Sequence, residues 1–209
     1  MSPFEMMFKG GPVMIPILLG SFIGAAIICS RLIELWKLES DTRAFGDEVT
    51  GLVRRGRLRE ALDRCHTTGH PVAGVLQVGL EHHQLSAGEI ERLMEHAANL
   101  EVRRLERYLG GLASIIVVEP LLGFLGTITG LIRAFRAWER AGSEITVSAL
   151  AAGIYEAMMT TAAGLLIAIP LYVLYNYIVG RIKSIAHDMT DRGTELLNAL
   201  RERQPGGPR

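Results

Sequence analysis

Hydrophobic positions along this chain gather into three long blocks, with charged, periodic sequence between and after them. The third block, Val147 to Gly180 (VSALAAGIYEAMMTTAAGLLIAIPLYVLYNYIVG), carries Glu156 as its one charged residue. It exceeds the roughly 20 residues a helix needs to cross a hydrocarbon core, so it predicts a membrane span. The first block predicts a helix over about Pro12 to Leu35. Pro16 falls in its first turns, where a missing amide donor does least harm, and Trp36 and Lys37 form an interfacial anchor. The apolar run from Val13 to Ser30 outlasts a signal h-region of ~7 to 15 residues and Arg31 follows it directly, so it reads as a retained span. The second block, LASIIVVEPLLGFLGTITGLI, runs from Leu112 to Ile132.

From Glu39 to Tyr108 the sequence turns charged and amphipathic, with glycine breaks. Thr67-Thr68-Gly69-His70-Pro71 predicts a helix stop and restart. Ser86-Ala87-Gly88-Glu89 has capping-box spacing, and Ile90, Leu93, Ala97 and Leu100 give the helix that follows an apolar stripe. With no loop signal before Leu112, that helix is expected to continue into the second span as one rod bent at Pro120. Arg133 to Thr146 reads as a short polar connection. After the third span, Tyr172, Tyr175 and Tyr177 mark an interface. Ile182 to Arg203 predicts an amphipathic helix through Ile185, Met189, Leu196, Leu197 and Leu200, before a frayed QPGGPR tail.

The expected fold is therefore all-α and polytopic. Residues 1–36 hold the N-terminus and first span, 37–110 a helical domain, 111–180 the second and third spans, and 181–209 a C-terminal helix and tail. Near the span ends, one side carries Arg31, Lys37, Arg43, Arg103, Arg104, Arg107, Arg181, Lys183 and Arg192. The other carries Lys9, Arg133, Arg136 and Arg140. The positive-inside rule puts the N-terminus outside and the central domain and C-terminus in the cytoplasm.

Composition narrows the chemistry. The 209 residues are 49% hydrophobic with a formal net charge of zero, and bulk charge gives no support for nucleic-acid binding. Arg54, Arg55, Arg57, Arg59 and Arg64 cluster, but Glu60 and Asp63 interleave with them, as on a solvated face or one touching anionic headgroups. Cys29 and Cys65 read as unpaired thiols, and neither they nor His82-His83 have metal-ligand spacing. No nucleotide loop, catalytic triad or redox motif occurs. No enzyme activity, cofactor or metal is expected.

The candidate chemistry lies inside the membrane blocks. Glu156 lies ~14 Å into its span, near the bilayer middle, where a carboxyl must face protein, water or an ion path. Gly153, Ala157, Thr160, Thr161, Gly164 and Ala168 form a strip of small side chains that lets another helix come close. Gly123, Gly126 and Gly130 give the second span a similar face, with Thr127 and Thr129 adding hydroxyls.

Two segments carry a resemblance. Pro120-Leu121-Leu122-Gly123-Phe124-Leu125-Gly126-Thr127 resembles the PLLGLLGT segment of the ExbB/TolQ proton-channel family, which is related to the MotA flagellar stators. Gly153 to Leu165, GIYEAMMTTAAGL, resembles that family's GIAEALLATAxGL and is followed by Ala168-Ile169-Pro170 and Tyr175-Asn176. The resemblance implies a homo-oligomeric ring, commonly a pentamer, around a single-span partner of the ExbD/TolR type whose membrane aspartate carries the proton, with a periplasmic client such as TonB. It also places Thr127, Glu156 and Thr161 on the pore-lining face, with Thr160 the adjacent hydroxyl. Two readings stand for Glu156: a hydrogen-bonded tie between neighbouring subunits, or a group that polarises the path. For the threonines, back-bonding to the helix's own carbonyls competes with a pore role. Glu119 departs from the family's small residue before the proline. It is read either as facing a water-filled cytoplasmic exit or as a neutral or paired carboxyl at a subunit contact. A motility stator would add a fourth membrane helix and a larger cytoplasmic region, and a passive scaffold would use Glu156 only as cement.

Overall fold

A computed structural model describes residues 11–38, 42–141 and 147–202, with the side chains of Arg43 and of residues 141–150 outside the description. The expectations for Lys9, for Arg43, for residues 142–146 of the polar connection and for the tail from Arg203 onward lie outside the described residues. Seven helices make up the described fold: α1 Met14–Lys37, α2 Thr42–Arg54, α3 Leu58–Thr67, α4 Pro71–Glu81, α5 Ala87–Leu105, α6 Leu109–Ala141 and α7 Val147–Arg201. No strand occurs among the described residues, and α1, α6 and α7 are each long and apolar enough to cross a membrane. The chain divides into two compact units. One holds the N-terminal residues to Ser30 with Tyr108–Tyr177, the other Arg31–Arg107 with the chain from Ile178 on.

The first unit is built inside out relative to a water-soluble protein. Along α6 the buried residues are Leu109, Leu112, Ile116, Glu119, Gly123, Gly126, Gly130 and Ala134, at three- and four-residue steps that keep them on one face. Val117, Leu121, Phe124, Leu125 and Ile128 point outward and are exposed. From Gly123 onward the inside is small and the outside large and apolar, which is what lipid as solvent selects, because apposed helices gain from close packing and not from hiding oil. Met14 and Ile17 of α1 meet Ala163 of α7, with Leu122 of α6 against them.

The second unit follows water-soluble rules. Successive helices α2, α3, α4 and α5 pack on one another, burying Val49, Val53, Ala61, Val72, Leu76, Ile90 and Met94. Ile182, Ile185, Met189, Leu196, Leu197 and Leu200 of α7 are buried, as the sequence stripe predicts. Gly56 ends α2 at φ +85°, donating to Val53 O at 3.0 Å while Arg57 N donates to Leu52 O at 3.0 Å, the double closure of a Schellman cap. The predicted stop and restart falls between α3 and α4. There His70 Nδ1 accepts from Val72 N at 3.2 Å, so Nε2 carries the proton and faces Thr42 Oγ1 at 3.2 Å. At the start of α5 the capping box forms, with the Glu89 carboxylate accepting from Ser86 N at 3.0 Å and from its hydroxyl at 2.6 Å.

Two expectations are corrected. The continuous rod from Ser86 into the second span is interrupted: α5 ends at Leu105 and α6 begins at Leu109, with Tyr108 at φ +69°. A left-handed residue cannot continue a right-handed helix, and Tyr108 is the one described non-glycine residue in that conformation. The α5 stripe is also shifted: Ile90 and Met94 are buried, whereas Leu100 is 52% exposed.

Candidate ion-pathway site

Helices α6 and α7 run antiparallel along their small-residue faces. A Cβ added at Gly123 would lie 3.0 Å from Thr160 O and 3.1 Å from Thr161 Cα. At Gly130 it would lie 2.9 Å from Ala157 Cβ, at Gly153 2.7 Å from Ala134 Cβ, and at Gly164 2.6 Å from Glu119 O. Backbone meets backbone at these positions, so the glycines set the separation of the two helices. Gly126 is closed over by the Thr160 side chain. Pro120 and Pro170 lie inside α6 and α7, each withholding one amide donor from its ladder.

This approach brings three of the predicted hydroxyls onto one carbonyl. Gly123 O accepts from Thr161 Oγ1 at 3.0 Å, from Thr127 Oγ1 at 3.2 Å and from Thr160 Oγ1 at 3.3 Å. Thr127 and Thr161 Oγ1 are themselves in direct contact across the seam. Thr160 is 1% exposed and also bonds back to Ala157 O at 2.7 Å, so it is the least available of the three. Thr127 and Thr161 are half-buried. Thr129 bonds back to Leu125 O at 3.0 Å and takes no part.

The two carboxyls lie apart from this group. Glu156 Oε1 accepts from Arg133 Nη2 at 2.5 Å, within its own chain. Gly11, at φ +67°, covers the pair: a Cβ there would strike Glu156 Oε1 and lie 3.0 Å from Arg133 Nη2. Arg133 entered the sequence reading only as a loop cation. The register that pairs Gly130 with Ala157 is the signal that places it opposite Glu156. Glu119 is 1% exposed, with Gly20 of α1 directly against its Oε1. Within the single chain it opens onto no solvent. Gly20 and Gly24 were also missed, although GxxxG spacing marks them, and Gly24 admits the Leu171 side chain of α7.

Three apolar helices, two of them apposed along small inner faces with a hydroxyl cluster held at their closest approach, define a multi-pass membrane protein with a polar seam. Residues 68–191 match the model of the MotA/TolQ/ExbB proton channel family, and the chain belongs to that family. It is a family of membrane transport proteins, not an enzyme class. Over 172 residues the chain is 41% identical to the biopolymer transport protein exbB1 of Vibrio cholerae serotype O1, covering 73% of this chain and 72% of that one. It is 33% identical over 180 residues to an ExbB homolog of Methanothermobacter thermautotrophicus, covering 84% of this chain and 63% of the homolog. It is 38% identical over 97 residues to the Tol-Pal system protein TolQ of Haemophilus influenzae, covering 46% of this chain and 42% of TolQ. The chain thus spans less than two thirds of the length of the latter two relatives.

Proposed function

We propose that this chain is the ring-forming inner-membrane subunit of a motor driven by the proton-motive force, of the ExbB/TolQ type. It conducts protons together with a single-span ExbD/TolR-like partner held inside a pentameric ring, and energises outer-membrane transport through a TonB-like periplasmic client. The N-terminus is periplasmic, and the central helical domain and the C-terminus are cytoplasmic, as the arginine and lysine distribution favours.

The observation that carries this reading is the meeting of Thr127 and Thr161 on Gly123 O in otherwise apolar surroundings. A hydroxyl both donates and accepts without bearing charge, so a pair of them can relay a proton beside a partner's carboxyl where a fixed charge would trap it. Glu156, held by Arg133 on the same seam, polarises it, with Thr160 supporting the geometry. Proton flux into vesicles holding the chain with a co-expressed ExbD/TolR-like partner tests this. Flux that falls in Thr127→Val and Thr161→Val supports it, and flux indifferent to both overturns it.

A second reading is favoured by one observation: every hydroxyl of the cluster also bonds to a backbone carbonyl, and Glu156 is satisfied within its own chain. That is what a passive scaffold would show, and an intact ring that passes no protons with any partner would establish it. The TolQ likeness makes a Tol-type envelope role the same-class alternative, ahead of a motility stator.

A further inference from the structure

Glu119 takes no part in the hydroxyl cluster, yet it is the only acidic residue between Leu109 and Ile132. Its carboxyl is enclosed where α1, α6 and α7 meet, at 1% exposure. Gly20 of α1 lies against Oε1 so closely that a Cβ would collide with it, and Gly164 of α7 crowds its backbone carbonyl. Oε2 is buried and has no hydrogen-bond partner among the described residues.

The surroundings offer no counter-charge. On α1 the nearest titratable side chain is Cys29, ~13 Å along the helix from Gly20, and the nearest charge is Arg31, ~16 Å along it and paired with Glu34. On α6 the nearest charge is Arg133, ~21 Å along the axis and already paired with Glu156. On α7 the nearest titratable groups are Glu156 and Tyr172, each ~12 Å along the helix from Gly164. A carboxylate so placed would be desolvated without compensation, whereas a carboxylic acid fits the space as a neutral group.

We propose that Glu119 is a proton-binding site separate from the Thr127–Thr161 pair, and that its occupancy decides whether α1 lies closed against α6 and α7. With the proton bound, the neutral carboxyl lets Gly20 approach. When the O–H bond breaks and the proton leaves to water, the carboxylate draws water or a cation toward Oε2. Gly20 leaves no room for either, so α1 moves outward. The site takes a proton as its ligand, and its readout is the position of α1. This requires no conduction through Glu119 and stands whether or not the ring is a motor.

The test uses the full chain in lipid nanodiscs. Infrared spectroscopy at neutral pH is expected to show the carbonyl stretch of a protonated carboxylic acid that disappears in Glu119→Gln and persists in Glu156→Gln. In a second measurement, Ile17→Cys places a thiol on the buried face of α1, and peptide mass spectrometry follows its reaction with a water-soluble maleimide. Raising the pH until the carboxylic-acid band is lost is expected to speed labelling at position 17 at least tenfold more in the Glu119 background than in Glu119→Gln. The Gln background corrects for ionisation of the thiol itself. A spectrum without that band, a band unchanged in Glu119→Gln, or the same labelling course in both backgrounds overturns the proposal. Should Glu119→Gln not fold, Gly20→Ala with Glu119→Ala serves as the reference, the new methyl taking the space the carboxyl leaves. Neither readout measures proton flux, so failure here is distinct from failure of the proposed motor function.

Discussion

Arg133 of α6 and Glu156 of α7 form an ion pair 2.5 Å long that ties the two helices together within one chain, beneath the left-handed Gly11. Glu156 therefore already has a partner within its own chain. Their side chains are 49% and 26% exposed, so the pair is neither fully screened nor fully buried.

Arg133→Gln or Glu156→Gln alone leaves one charge unpaired. Each is expected to destabilise the detergent-solubilised protein by about 1–3 kcal/mol, between the values for exposed and buried pairs. The double Gln variant should recover part of that loss. Thermal unfolding of the two singles and the double gives the coupling, and a purely additive result would remove the pair from the account.

Gly123 and Gly88 make opposite predictions for the same change. At Gly123 a methyl would press on Thr160 O and Thr161 Cα, both backbone, so the helices must separate. Gly123→Ala is expected to cost about 1–3 kcal/mol and to part Thr127 from Thr161. At Gly88, in the first turn of α5, a Cβ meets nothing within 4 Å, and Gly88→Ala should stabilise by about 0.4–1 kcal/mol through the unfolded chain. Matched unfolding curves decide both.

Thr161→Ser keeps the hydroxyl on Gly123 O, and Thr161→Val keeps the shape without it. In the reconstituted complex Ser is expected to retain proton flux and Val to lose about tenfold or more, as befits a barrier raised by about 1.4 kcal/mol. Equal flux in the two variants would leave the hydroxyl without a role.

Burial holds the His70 imidazole below its ordinary value of 6.5, opposed in part by the Leu38 carbonyl and the Asp188 charge. Between the lowered value and 6.5 the unfolded chain binds more protons than the folded one, so stability rises with pH across that window. The contribution of neutral His70 is complete above about 6.5 and is lost as pH falls toward the lowered value, at no more than about 1.4 kcal/mol per pH unit. His70→Asn, which can still accept from Val72 N, should flatten this dependence in unfolding measured across mildly acidic pH.

Burial also pushes the Cys65 thiol up to about 12. In a Cys29→Ser variant, alkylation at mildly alkaline pH is expected to be at least about tenfold slower in the folded protein than in denaturant, because the thiolate is the nucleophile.

The sequence exposed what rests on local rules. Span positions follow from hydropathy, the α5 start from Ser86 and Glu89, and the α3–α4 junction from Gly69 and Pro71. The stripe Ile185, Met189, Leu196, Leu197 and Leu200 is legible because it keeps helical period and is buried. What stayed hidden rests on tertiary geometry. Tyr108 bears a left-handed turn that its residue type does not announce. Leu100 belongs to an apolar stripe on paper, but Met94 faces Gly79 and Gly193 and sets the true packing face. Arg133 becomes the partner of Glu156 only once the glycines fix how α6 and α7 slide past each other, and Gly20 gains meaning only from Glu119 opposite.

The Gly123 carbonyl has two lone pairs, and three threonine hydroxyls reach it in addition to its place in the α6 ladder. Donors outnumber acceptor sites, so not all of these contacts are satisfied at one instant, and Thr127 and Thr160 each have Ala157 O as a second choice. The cluster is thereby degenerate: swapping which O–H points where is a matter of χ1 and hydroxyl rotation alone. Its dipoles can reverse on the timescale of a side-chain turn while both helices stand still.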